Sequence, residues 1–291
     1  MSERVAIVGP GRMGLALGIA LHQSAAADSI TFLGRSVEPP PHPLFDAADG
    51  AAGFGYRFGL VLPQQTSVLV LAVPDDALAE VAWDLAAAGP APAGCAALHL
   101  SGAVSTDVLA PLHGAGYSVG SMHPLQTVAD PWLGQDRLAG AAFALAGEPA
   151  AIRAARRLVD GIGGLALVVP AALRPLYHAA AVMASNYLVT LIAAAADVLG
   201  AAGIPEEAQL PALLPLVQGT VDNLRQLGIP AALTGPIARG DADTVRLHLA
   251  RLSGDARTLY CALGVETVRL ARAAGLDEAR SAEIESLLRA G

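Results

Sequence analysis

The chain has 291 residues and a formal net charge of −8, too long for one ordinary small domain and too acidic for an electrostatic nucleic-acid binder. Hydrophobic residues make up 54% of it, which excludes intrinsic disorder and supplies a core without disulfide staples. Every one of the 18 side chains counted as Lys+Arg is an arginine, so a Schiff-base lysine, a lysine general acid and the phosphate-binding lysine of a P-loop are excluded.

In chain order, short apolar runs alternate with helical ones through the first half. Strands are predicted at 4–9, 29–33, 67–73, 95–100, 117–121 and 140–146, several rich in Val, Leu and Ile without polar alternation. That is the pattern of strands buried on both faces of a parallel sheet. Helices are predicted at 12–24, 75–88, 105–114 and 149–162, while the four prolines of 37–43 and the segment 89–94 mark loops. The alternation predicts a doubly wound α/β sheet.

After a last strand at 165–169 the strand signals stop. Helices are predicted at 173–202, 206–227, 241–252, 256–274 and 277–289, with Gly203, Gly228 and Gly275 as stops and Asp241 and Asp277 as N-caps. Pro211 and Pro215 are expected to kink or split the second of these. A boundary near Pro170 divides the chain into a dinucleotide-binding domain, 1–169, and an all-α substrate and dimerisation domain, 170–291. The uncharged stretch 179–196 approaches the length of a membrane span, but polar residues recur through it, and it is read as a helix buried on most sides in a domain or subunit interface. Residues 12–27 loosely resemble a signal peptide; a strand and a tight turn before them argue otherwise. Cys95 and Cys261 are expected to be buried thiols, with no metal-ligand spacing, consistent with a cytoplasmic protein that engages neither membrane nor nucleic acid.

Gly9-Pro10-Gly11-Arg12-Met13-Gly14 fits G-x-G-x-x-G after a predicted strand and at the start of a predicted helix, the context that motif requires. Gly9 permits the turn, Gly11 lets backbone approach a pyrophosphate, and Gly14 lets helix pack on strand. At the end of the second strand, where an NAD site carries Asp or Glu, stand Arg35 and Ser36, with Glu38 beyond the turn. A guanidinium and a hydroxyl suit a 2′-phosphate, so NADP is favoured over NAD, and Arg12 offers a second cation.

A nicotinamide enzyme needs a proton donor besides hydride, and without lysine the next choice is histidine. His99 and His123 end strands, where ligands of open α/β sheets bind. His178 opens the long helix, and Asn186, eight residues on, would share its face. His123 and His178 are the leading acid candidates, with Asn186 orienting the substrate. Arg239, in the loop Thr234–Asp241, could clamp a carboxylate; Arg174 is a weaker anchor and reads more simply as a surface arginine. Asp75 and Asp76 read as N-capping residues. H-E-x-x-H is absent, and the one G-x-S-x-G string, Gly116-Tyr117-Ser118-Val119-Gly120, runs into the predicted strand 117–121 and not through a strand-to-helix elbow, leaving hydrolase and zinc readings unsupported.

Together Gly9–Gly14, Ala72-Val73-Pro74-Asp75, His99-Leu100-Ser101-Gly102, His123-Pro124-Leu125-Gln126-Thr127, Tyr177-His178 with Ser185-Asn186-Tyr187, and Leu233–Asp241 resemble one family over nearly the whole chain. It is a predicted-oxidoreductase family that joins a Rossmann-like domain to a C-terminal helical domain of unknown function. It lies within the 6-phosphogluconate dehydrogenase-like superfamily, beside pyrroline-5-carboxylate reductase, ketopantoate reductase, β-hydroxyacid dehydrogenases and prephenate dehydrogenase. The resemblance implies an NAD(P) cofactor, with Val73 and Pro74 against it, Ser101 near substrate, and a homodimer formed through the helical domain. Ketopantoate reductase and the β-hydroxyacid dehydrogenases use a lysine and an asparagine on the interdomain helix; here His178 and Asn186 stand nearest those roles. The expected function is NADP(H)-dependent reduction of a small carboxylated ketone or imine between the domains. The alternatives are a dinucleotide-binding sensor or scaffold without turnover and a prephenate dehydrogenase-like oxidation.

Overall fold

In strand β1 (Glu3–Val8) Val5 and Ile7 enter one apolar cluster while Ala6 and Val8 enter another. The same division recurs in β4 (Val68–Leu71), where Val68 and Val70 face one cluster and Leu69 and Leu71 the other. Successive side chains of a strand point to opposite faces, so unbroken apolar runs require a cover on each side. In this computed structural model, which describes residues 3–45, 53–129 and 136–290, helices supply both covers. Leu15, Leu17 and Leu21 of α1 (Arg12–Gln23) and Ala151, Ala155 and Leu158 of α4 (Pro149–Gly161) pack on one face. Leu78, Ala82 and Leu85 of α2 (Leu78–Ala88) and Leu112 of α3 (Ala110–Gly114) pack on the other.

The remaining strands are β2 (Ala27–Gly34), β3 (Phe54–Phe58), β5 (Ala96–His99), β6 (Ser118–Pro124), β7 (Ala142–Gly147) and β8 (Leu165–Val168). They form one eight-stranded sheet in the order β3-β2-β1-β4-β5-β6-β7-β8. Its first six positions have the order of a Rossmann sheet, as the alternation predicts. Pairing is parallel except between β6 and β7, where Gly120 faces Gly147 and Pro124 faces Phe143. Strand β3 is not foreseen in the sequence. Its Gly55 and Arg57 break any apolar run, and its place at the sheet edge leaves it only half covered.

The chain divides into two compact units, residues 1–185 and 186–291. Helix α5 (Arg174–Ala184) stays with the sheet unit. The predicted helix 173–202 is interrupted at Ser185 (φ −118°, ψ −71°), and α6 (Asn186–Ala201) starts the second unit. His178 and Asn186 therefore stand on either side of this break, one in each unit. No residue of α6 is buried within the single chain. The stretch Ala171–Ala201 is long and apolar enough, by length and composition, to cross a membrane.

In the second unit α7 (Glu206–Leu227) runs through Pro211 and Pro215 without being split. The helices α8 (Pro236–Arg239), α9 (Ala242–Leu249), α10 (Gly254–Ala273) and α11 (Glu278–Arg289) follow, with a core of Ile237, Val245, Val268, Ile284 and Leu288 among others. Asp241 and Asp277 cap as predicted, accepting from the Thr244 and Arg280 amides at 3.0 and 3.1 Å. Cys95 and Cys261 are buried free thiols.

Candidate functional site

The strand order reverses between β1 and β4, and the loops after these strands open a crevice at their carboxyl ends, where open α/β sheets bind ligands. Gly9 sits in that crevice at φ +94°, and a Cβ on it would meet the Ala72 carbonyl oxygen at 2.6 Å. Gly11 is the reverse case: a Cβ there would meet nothing within 4 Å, so its bare backbone faces open space at the start of α1. That helix has no side-chain cap and no acidic residue in its first turn. Its first amides are thus available to an anion, and a dinucleotide pyrophosphate fits the cradle.

Gly9, Gly11, Arg35, Ser36, Val73 and Pro74 all line one cleft of about 1240 Å³. The Tyr56 hydroxyl donates to the Ser36 carbonyl at 2.6 Å and holds the rim. Glu38, which follows the turn, also lines the cleft, and Asp76, Glu80 and Asp84 line it from the α2 side. Met13 packs against the core and Gly14 is buried, so both shape the turn from behind. Arg12 does not line the cleft; its guanidinium reaches the Ala129 carbonyl at 3.4 Å.

The next strand ends carry a polar cluster. Ser101 follows β5, and its hydroxyl donates to Asp75 at 2.9 Å while accepting from the Ala103 and Val104 amides at 3.2 and 3.0 Å. Three partners are the full capacity of a hydroxyl, so Ser101 builds the turn and has no vacant position for a substrate. Asp75 is held by this bond, and Pro74, not Asp75 or Asp76, takes the cap position of the following turn, which has no side-chain cap. Because Pro74 and Asp76 line the cleft, the Asp75–Ser101 bond joins cleft and cluster.

Arg174 overturns its reading as a surface arginine: it is 2% exposed. Its guanidinium donates to the Ser121 hydroxyl of β6 and, at 2.6 Å, to the Ser101 carbonyl, while its Nε is buried without a partner. The sequence does carry a signal for it, since Arg174 is the one Asp, Glu, Lys or Arg between Asp160 and Asp197. Burial works against its charge, opposed by Tyr177 and Asp75.

His123 Nδ1 lies 2.8 Å from the Tyr177 hydroxyl, with the two rings edge-on at 87°. His178 approaches the same imidazole at 5.8 Å between ring centres. Both histidines converge over Gly102: a Cβ there would stand 2.5 Å from His178 Nδ1 and 2.8 Å from His123 Nε2. His178 Nδ1 is buried without a partner, and so are both nitrogens of the fully buried His99. Burial, with the charges of His178 and Arg174 against the weaker pull of Asp75, lowers the His123 pKa to about 4. Burial, then Arg174 and His123, lowers that of His99 to about 3. Burial raises the Tyr177 phenol above its usual value, while Arg174 opposes the rise. All three imidazoles and the phenol belong to the first unit. Tyr177 and Gly102 were missed as functional positions; their only sequence signals are adjacency to His178 and to Ser101.

Of the other expected site residues, Asn186 opens α6 and Arg239 ends α8; both are exposed and both lie in the second unit. Among the described residues no group of three or more His, Cys, Asp or Glu could hold a metal ion.

A Rossmann-like domain model matches residues 61–124, and the model of a domain of unknown function, DUF2520, matches residues 141–267. The chain thus carries a Rossmann-like domain followed by a DUF2520 domain, the combination that the motifs resemble. No curated protein matches it. Among solved structures, a protein of Thermotoga maritima is 23% identical, with a TM-score of 0.70 over 93% of this chain and 99% of its own. A pyrroline carboxylate reductase of Plasmodium falciparum with NADP bound is 12% identical, with a TM-score of 0.57 over 99% and 96%. A reductive aminase of Aspergillus terreus in complex with NADPH is 18% identical, with a TM-score of 0.55 over 100% and 93%. At these identities the likeness establishes the shared fold.

Proposed function

We propose that the chain is an NADP(H)-dependent oxidoreductase that reduces a small carboxylated ketone or imine. The observation that carries this reading is the glycine turn at the strand-order reversal, with Arg35 and Ser36 on the rim of the same cleft. Gly11 and the α1 amides would hold the pyrophosphate, and Arg35 with Ser36 the 2′-phosphate. Val73 and Pro74 line the cleft on the β4 side, and His123 of β6 and His178 of α5 converge over Gly102 as members of the group that supplies the proton. Solved relatives described with NADP or NADPH bound support the cofactor. The rim carboxylate of Glu38 competes for this assignment, because an acidic group there would suit ribose hydroxyls.

Fluorescence titration with NADPH and NADH tests the reading. NADPH should bind in the micromolar range and more tightly than NADH. Failure of both to bind below millimolar would end the cofactor assignment, and a preference for NADH would transfer the ribose contact to Glu38. Tight NADPH binding without turnover of any 2-oxo acid or cyclic imine would point to a sensor.

Within the second unit Leu191, Leu210 and Leu214 are 40%, 49% and 50% exposed on α6 and α7. So much uncovered apolar surface on one hairpin of helices marks an interaction surface. We assign it to a second copy of the chain, making the protein a homodimer.

A further inference from the structure

We propose that the proton for the reduced carbonyl oxygen is handed over by the Tyr177 hydroxyl, with His123 behind it as a positioning and relay residue. The inference rests on the reductase reading above. Four observations within the first unit carry it.

The phenol and His123 Nδ1 are in hydrogen-bond contact at 2.8 Å. The other nitrogen of the ring, Nε2, points over the bare Cα of Gly102 toward the same space as His178 Nδ1, which is buried and unpartnered. Burial raises the Tyr177 phenol, and Arg174, a buried cation one helical turn before His178, opposes that rise. Finally, burial and the neighbouring charges leave His123 overwhelmingly neutral at pH 7, so an imidazolium donor is scarce there.

The proposal requires one of the two neutral tautomers. With the proton on Nδ1, His123 donates to the phenol oxygen, and the phenol O–H is left to point at the substrate. Nε2 then offers a lone pair toward His178. A bound dihydronicotinamide supplies hydride to the carbonyl carbon and is oxidised, while the carbonyl is reduced. As the C=O π pair becomes an alkoxide lone pair, the Tyr177 O–H bond breaks and the alcohol O–H forms. The Nδ1 proton of His123 restores the phenol as Nε2 takes a proton from solvent, and the ring then returns to its starting tautomer by losing that Nε2 proton to solvent and gaining one on Nδ1. The sum is ketone, NADPH and one proton to alcohol and NADP⁺.

The test uses the full chain with NADP⁺ and ¹⁵N-labelled histidine. From pH 5.5 to 8, His123 Nδ1 should resonate as a protonated, pyrrole-type nitrogen and Nε2 as an unprotonated one. A pyridine-type Nδ1 that accepts from the phenol overturns the proposal without any substrate. In NADPH oxidation with a panel of 2-oxo acids, Tyr177→Phe should lose a hundredfold or more of the rate, the scale of general-acid catalysis, while binding NADPH as the wild type does. The wild-type rate should stay level from pH 6 to 8, where an imidazolium titrating near 4 would lose tenfold per pH unit. A Tyr177→Phe protein that keeps more than a tenth of the rate, or a wild-type rate that falls tenfold per unit, refutes Tyr177 as donor. A wild type that neither binds NADPH nor oxidises it with the panel refutes the reductase reading instead.

Discussion

Gly102→Ala adds one methyl group where the structure has no room for it. The new Cβ would lie 2.5 Å from His178 Nδ1 and 2.8 and 2.9 Å from His123 Nε2 and Cε1, closer than real Cβ contacts come. Gly102 is not among the glycines at positive φ, so the backbone itself accepts alanine and the whole cost is collision. Alanine also restricts the unfolded chain, which favours folding by about 0.4–1 kcal/mol. Overpacking a filled site costs about 1–3 kcal/mol. The balance is a loss centred on about 1.3 kcal/mol and reaching about 2.6 kcal/mol, the central value equivalent to about 3–5 °C in Tm for a domain of this size. His123 is tied to Tyr177, so the ring that yields first should be His178. Thermal unfolding and the ¹⁵N imidazole spectrum of Gly102→Ala measure both effects. Adding His178→Ala should recover stability, with a coupling of at least about 0.5 kcal/mol in the double-mutant cycle. An alanine variant as stable as the wild type, with unmoved imidazole signals, would show that the two histidines do not converge over Gly102.

Arg35→Ala should weaken NADPH tenfold or more, about 1.4 kcal/mol, and leave NADH binding unchanged; equal losses for both would remove Arg35 from the 2′-phosphate. Acid should destabilise the first unit through His99 and His123. Their folded pKa values, about 3 and about 4, lie below the ordinary 6.5. As pH falls below about 6.5 the unfolded chain takes up protons that the folded one refuses, so stability present at neutral pH is lost between there and the folded values. The slope reaches about 1.4 kcal/mol per pH unit for each imidazole. Urea midpoints at pH 7, 5.5 and 4.5 read this directly, and His99→Gln should flatten the trend; an unchanged slope would contradict the burial of a neutral imidazole. Leu191→Asp with Leu214→Asp should convert a dimer to monomer in sedimentation velocity without loss of helix content, and a wild type already monomeric would refute the pairing.

The dinucleotide half of the site was legible because its determinants are local. A glycine turn needs only its own φ angles and the strand and helix on either side, and all of these are coded within fifteen residues. The two caps at Asp241 and Asp277 were legible for the same reason. Strand β3 was hidden because an edge strand is only half covered and so carries only half the apolar signal. The break at Ser185 left no proline or glycine in the sequence to mark it. Ser101 directly follows a predicted strand, yet its role depends on Asp75, 26 residues away, and on Arg174, 73 residues away.

By itself, then, the sequence determined the sheet with its two covered faces, the glycine cradle and the absence of any lysine to do acid chemistry. These are properties of periodicity and composition. The tertiary structure decided that Arg174 is buried, that Ser101 is saturated, and that His123, Tyr177 and His178 meet over Gly102. Each of those facts depends on burial or on a contact between segments 26 or more residues apart, and apart from the isolation of Arg174 in an uncharged stretch the local sequence carries no trace of them.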